Sequence, residues 1–296
     1  MTSCCLSIDW GGSELKGIFT GNNREFILSA GNLRLLGEER LLQICRDIVA
    51  AADIFDKSAN WLIGAAGADD RAAADRLTSA IKVVHPLSEA ISVKSDYECN
   101  HAACLDGKDG ILSINGTGSV IFARFGEKSI KLGGWGYVLD ELPSGAWFGR
   151  KALEGVLRCI EGSEEHRAYL AVFEQRFGKA SRNAIIDELY RAPSIQKKLG
   201  EYAPVLSKAL AAGCPSALEA VENSVAQLVE VCRQAAEQTG MIGEVTLCGS
   251  GGLWEKWPEF AGYVEKEAVR QEFKLRLVRP AKALHFGPLI VHARSL

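Results

Sequence analysis

Two stretches of the chain carry the same pattern of apolar runs and polar breaks. Leu6-Ser7-Ile8 leads into Asp9-Trp10-Gly11-Gly12-Ser13, and Leu112-Ser113-Ile114 leads into Asn115-Gly116-Thr117-Gly118-Ser119. Each break is followed by a strand-like run at 15–19 or 120–125. A polar turn comes next (Gly21-Asn22-Asn23, then Gly126-Glu127-Lys128), and then a third apolar run at 26–28 or 130–132. Each unit closes at glycine, Gly31 or Gly133-Gly134. Apolar runs bounded by Gly and Asn read as hairpins, so the pattern predicts a strand–glycine turn–strand–turn–strand unit written twice. Glycines at such turns permit positive φ and close approach of an anion to the backbone. Consecutive N–H groups there can form a phosphate nest. Two ordinary hairpins are the simpler reading of either turn alone; the matched third strand favours the duplication.

Between and after these units the periodicity predicts helices at 38–55, 71–80, 151–160, across much of 164–211, at 215–238 and at 285–294, with Pro193 and Pro204 as breakers. Strands are predicted at 60–67, 81–84, 91–93 and 274–278, and a strand into a glycine turn at 243–252. Residues 133–150, rich in glycine and aromatics, read as a loop of low regularity, the kind of segment that often carries function. The polar turn Gly107-Lys108-Asp109-Gly110 is the candidate hinge. It gives a first domain over 1–108, rejoined by a C-terminal helix at 284–296, and a second domain over 109–283.

Composition narrows the class. At 296 residues the chain exceeds what one core usually serves. A net charge of −3 offers no basic field for nucleic acid and no polybasic membrane patch. No apolar run approaches a bilayer span, and Asp9 interrupts the only N-terminal apolar segment, so neither a membrane segment nor a signal peptide is expected. Nine scattered cysteines without a Cys-x-x-Cys suit a reduced, cytoplasmic protein, and five histidines without i, i+4 pairing indicate no zinc site.

The two glycine motifs carry a resemblance. Asp9-x-Gly11-Gly12-Ser13-x-x-Lys16 and Asn115-Gly116-Thr117-Gly118-Ser119 resemble the first and second phosphate motifs of the sugar kinase, heat-shock ATPase and actin superfamily. Gly133-Gly134-Trp135-Gly136-Tyr137, Ser144-Gly145-Ala146-Trp147-Phe148-Gly149-Arg150 and Gly249-Ser250-Gly251-Gly252 bring the chain closest to the BadF-type ATPases, and among them to N-acetylglucosamine and glucosamine kinases. The resemblance implies two α/β domains of ribonuclease H-like, actin-like ATPase fold with ATP bound between them, and transfer of its γ-phosphate to an amino-sugar hydroxyl. It places Gly11, Gly12, Ser13, Gly116, Thr117, Gly118, Ser119, Gly249, Gly251 and Gly252 at the nucleotide, and Asn32, Glu141, Ser144 and Gly145 at the sugar.

Asp96 opens an Ala-containing helix after a strand. It reads either as an N-cap or, by resemblance, as the catalytic base that also touches the sugar; the two roles are compatible. An acidic Asp9 among phosphate-binding turns argues for Mg²⁺ held through water, against a structural role bonding the turn's N–H groups. Lys16 reads as solvated. The chain departs from close relatives at Trp10, at Ser13 and at Glu141-Leu142-Pro143, where a sugar-contacting carboxylate is displaced, lengthened or absent. Two rival readings keep the fold: an ATPase activator of a radical dehydratase, and a regulatory protein that has lost activity. The activators hold an iron–sulfur cluster through Cys near the second phosphate turn, where this chain has none. Homodimers are common among similar proteins, but no residue pattern here derives one.

Overall fold

A computed structural model describes residues 4–12, 14–139 and 142–294. The chain divides into two units, 1–112 with 279–296 and 113–278, so the division falls inside a strand rather than at the Gly107–Gly110 turn.

The first unit is built on a five-stranded sheet in the order β3-β2-β1-β4-β5. Its strands are β1 (Cys5–Trp10), β2 (Glu14–Phe19), β3 (Arg24–Ser29), β4 (Ala59–Ala65) and β5 (Ser88–Ser95). The three repeat strands run antiparallel in sequence order, while β4 lies parallel to β1 and β5 parallel to β4. Helices α1 (Glu38–Ala52), α2 (Arg71–Val84) and α3 (Asp96–Cys104) complete it, with a later C-terminal helix. Leu6, Ile8 and Trp10 of β1, Ile44 and Ile48 of α1, Trp61 and Ile63 of β4 and Leu77 of α2 form one buried core.

The second unit repeats the plan. Its sheet order is β10-β9-β6-β7-β8, formed by β6 (Gly110–Asn115), β7 (Ser119–Phe125), β8 (Lys128–Gly133), β9 (Val245–Ser250) and β10 (Leu275–Val278). Reading β6 for β1 and onward, the two orders are the same, so the duplication legible over three strands extends to five. Where the first unit has α1 between its third and fourth strands, the second carries α4 (Gly145–Ile160), α5 (Arg167–Phe177), α6 (Arg182–Tyr190), α7 (Ile195–Ala211) and α8 (Pro215–Thr239). Short α9 (Gly252–Lys256) and α10 (Glu259–Arg270) stand where the first unit has α2, and α11 (Gly287–Arg294) returns to the first unit.

Four elements differ from the sequence reading. Residues 81–84, read as a strand from their β-branched run, continue α2. Ala73, Leu77 and Ile81 are buried at fourfold spacing, and the core they reach outweighs local propensity. Helix α1 stops at Ala52 because Asp53 turns left-handed and caps it. Residues 145–150 are the first turns of α4 rather than loop, because Ser144 caps them by accepting from Trp147 N. Pro204 does not break α7, although it has no N–H to give Gly200. Helices α9 and α10 carry no expectation from the sequence.

Candidate functional site

Within the first unit the chemistry gathers where β1, β4 and β5 end. Asp9 sits beside Gly64 on β4, and Lys16 of β2 pairs with it across the sheet. Helix α3 begins directly after β5, bringing Asp96 to the same sheet end. Two glycines let that helix come so close. A side chain on Gly64 would overlap Cys99 Cβ at 2.5 Å, and one on Gly287, at the start of α11, would overlap the Cys99 carbonyl.

Asp9 is almost fully buried. The side chain of Asn100, one turn beyond Asp96, lies beside it, and Asp9 Oδ1 and Asn100 Oδ1 are buried without a partner among the described residues. Burial, and next the Asp96 charge, push the Asp9 carboxyl up to about 7; Lys16 and Asn100 pull the other way. The N-cap reading of Asp96 does not hold: Ser95 occupies the cap position, and Asp96 is the first residue of the helix. Asp96 Oδ1 accepts from Tyr97 N at 2.9 Å, and Ser95 Oγ donates to Glu98 Oε2 at 2.7 Å. Lys16 is exposed and pairs with Glu14 at 3.4 Å.

Trp10 is fully buried, and its Nε1 donates to the Gly31 carbonyl at 2.8 Å. That bond and Leu33 N to Ala66 O at 3.0 Å hold the segment carrying Asn32 against the end of β4. Asn32 Oδ1 accepts from Arg34 N at 3.0 Å and lies where Gly67, left-handed at φ +88°, leaves room. Gly11 N donates to Glu14 O at 2.9 Å, closing the first glycine turn. Ser13 and Glu141 lie outside the described residues.

In the second unit the turn after β6 and the turn after β9 meet. Gly251, left-handed at φ +95°, has backbone so close to Asn115–Gly116 that a Cβ would come within 2.9 Å of both. Asn115 makes three hydrogen bonds through its side chain: Oδ1 accepts from Ser113 Oγ at 2.5 Å and Trp254 Nε1 at 2.7 Å, and Nδ2 donates to Pro143 O at 2.7 Å. Gly249 is glycine because the Trp254 indole occupies the space of its side chain.

Helix α4 docks on the turn through Gly145 N to Gly116 O at 2.7 Å and Ala146 N to Thr117 O at 3.0 Å. Ser144 and Gly145, expected at the sugar, are thus buried and used in capping and docking. Ser119 Oγ donates to Leu142 O at 3.4 Å. What stays open is Thr117, which is exposed, and the space at Gly12, Gly116 and Gly252, where a side chain would meet no protein atom within 4 Å. Neither Gly12 nor Gly116 is left-handed, so clearance rather than backbone angle distinguishes them. Trp147 packs edge-on to Phe148 in the interior, while Trp135 is largely exposed. Cys99 and Cys104 are buried on α3, and burial holds the Cys99 thiol far above its usual range. The described residues contain no group of three or more His, Cys, Asp or Glu suited to a metal, and no helix among them is long and apolar enough to cross a membrane.

No protein-family model matches the chain. Over 193 residues it is 25% identical to the N-acetylmuramic acid/N-acetylglucosamine kinase of Clostridium acetobutylicum, a match covering 64% of this chain and 63% of that enzyme. Over 259 residues it is 23% identical to the glucosamine kinase GspK of Vibrio cholerae, covering 81% of this chain and 84% of the other. The structure superposes on a Chromobacterium violaceum protein provisionally assigned as an N-acetylglucosamine kinase, with a TM-score of 0.73 at 20% identity over 98% of both chains. By sequence the chain is similar to these amino-sugar kinases, and its fold is the actin-like ATPase fold of the solved structures it matches.

Proposed function

We propose that the protein is an ATP-dependent kinase that moves the γ-phosphate of ATP to a hydroxyl of an amino sugar, N-acetylglucosamine or glucosamine before others. The observation that carries this reading is the acidic pair of the first unit. Asp9 is buried with one oxygen unpartnered, and Asp96 stands close enough to raise its pKa. A buried carboxylate oxygen that no described group pairs suits a partner outside the protein, and Mg²⁺ fits that donor in chemistry. Since the described residues form no three-ligand cluster, the ion would rest on Asp9, water and phosphate oxygens, the way Mg²⁺ is usually held at nucleotide sites. Bound there, it would neutralise charge on the transferring phosphoryl group.

The residues then divide by role. Asp96, half-buried at the start of α3, is the base that accepts the sugar hydroxyl proton. In the second unit Gly116, Thr117 and Gly118 take phosphate oxygens, with Gly251 and Gly252 alongside; Gly11 and Gly12 do the same in the first. Asn32 binds sugar hydroxyls. The test is Mg²⁺-dependent ADP release against N-acetylglucosamine, glucosamine, N-acetylmuramic acid, glucose, N-acetylmannosamine and no sugar, with Asp96→Asn alongside. Turnover on an amino sugar that the variant loses supports the reading. Nucleotide binding without turnover on any sugar of the panel would overturn it.

A further inference from the structure

Helix α7 belongs to the insertion between β8 and β9 that has no counterpart in the first unit, and no sequence motif links it to chemistry. It nevertheless lies across the second glycine turn. A side chain on Gly200 would touch Thr117 Cγ2 at 3.6 Å, and one on Gly118 would come within 3.2 Å of Gln196 Nε2. Gln196 and Gly200 are four residues apart and share one face of the helix. The helix thus lies within van der Waals reach of Thr117, and the carboxamide covers Gly118.

Around this turn most polar groups are consumed by the protein. Asn115 makes three hydrogen bonds, Ser144 caps α4, and the first N–H groups of α4 are given to Gly116 and Thr117. Gln196 is different: among the described residues its half-buried carboxamide has no hydrogen-bond partner, and the same holds for the Thr117 hydroxyl. An amide donor held against a glycine turn, with the space at Gly116 open beside it, suits an anionic oxygen.

We infer that Gln196 is a nucleotide-binding residue, its Nε2 donating a hydrogen bond to a phosphate oxygen of the nucleoside triphosphate held at the Gly116–Gly118 turn. The inference rests on the kinase reading and adds to it a phosphate contact supplied by the helical insertion. Because the contact is to a phosphate oxygen, its effect must appear with the triphosphate and vanish for the bare nucleoside.

The experiment is calorimetric titration of wild type, Gln196→Leu and Gln196→Glu with adenosine, ADP and the non-hydrolysable triphosphate AMPPNP, all with Mg²⁺. Melting temperatures serve as the folding control. Loss of a hydrogen bond to a charged group predicts AMPPNP binding weakened about ten-fold or more in Gln196→Leu. Gln196→Glu, which sets a carboxylate against phosphate, should lose more, while adenosine affinity stays at the wild-type value in both. AMPPNP affinity unchanged in both variants overturns the inference and leaves the kinase reading standing. Equal weakening of adenosine and AMPPNP also overturns it, since that marks a packing effect of α7. Wild type that binds no nucleotide at all overturns the kinase reading itself, a result visible before any variant is compared.

Discussion

Trp254 Nε1 donates a 2.7 Å hydrogen bond to Asn115 Oδ1 and so ties the two glycine turns of the second unit together across 139 residues of sequence. The same indole fills the space over Gly249. Trp254→Phe keeps a smaller ring there while removing the donor, and Asn115 retains Ser113 and Pro143. The expected stability loss is about 1 kcal/mol, measured by urea denaturation followed by circular dichroism. Gly249→Ala puts a methyl 2.1 Å from the ring and should cost about 1–3 kcal/mol through overpacking. A Trp254→Phe protein as damaged as Gly249→Ala would show that the ring's shape, not the hydrogen bond, joins the turns.

Asp9 sets a pH dependence whose sign is fixed by burial. Its folded pKa is raised from 3.8 to about 7, so folding favours the protonated form. The stability this contributes is complete below the unfolded value and is lost as pH rises through about 7. Asp9→Asn has no charge to desolvate. Without Mg²⁺ the variant should therefore melt above wild type near pH 8, with the gap closing towards pH 4, while losing phosphoryl transfer. A gap that stays constant across this range would place the Asp9 charge in contact with solvent.

Asp96→Asn should separate chemistry from folding. Because Ser95 holds the cap position and Asp96 follows it, the substitution leaves the start of α3 intact. Removal of a general base typically costs about 10²–10⁴ in rate. The expected outcome is that loss in kcat, with the melting temperature and nucleotide affinity of wild type. A variant that instead loses melting temperature in step with activity would mark Asp96 as structural.

How far the sequence foretold this arrangement depends on the range of the signal. Strand runs bounded by glycine, as at residues 6–19 and 112–125, are local, and they exposed the duplication at once. Its extension to β4–β5 and β9–β10 was hidden because the inserted helices of 145–239 separate β8 from β9. At residues 81–84 local β-propensity misled, since burial of Ile81 decides the matter. That Asp9 and Asp96 meet at one sheet end was not read from the sequence, in which each carried its expected role separately. Asn100 carried an unused signal: it lies four residues beyond Asp96 in a predicted helix and so shares its face. Gln196 carried none, because only the fold brings 196 to 118.

The glycines give the sharpest contrast between folding and ligand clearance. A methyl at Gly64 would meet Cys99 Cβ at 2.5 Å and push α3, with Asp96 on it, off β4. Methyls at Gly12 or Gly116 would meet no protein atom within 4 Å, and neither residue needs a left-handed backbone. Gly64→Ala should therefore lower stability by about 1–3 kcal/mol and lower activity with it. Gly12→Ala and Gly116→Ala should fold with wild-type stability, or slightly more through the reduced entropy of the unfolded chain. Their loss should appear in nucleotide affinity, as a raised KM for ATP at unchanged melting temperature. Such a split would mark the open space at these two positions as ligand clearance rather than a need of the fold. Wild-type ATP affinity in both alanine variants would remove the phosphate-binding role from the two turns.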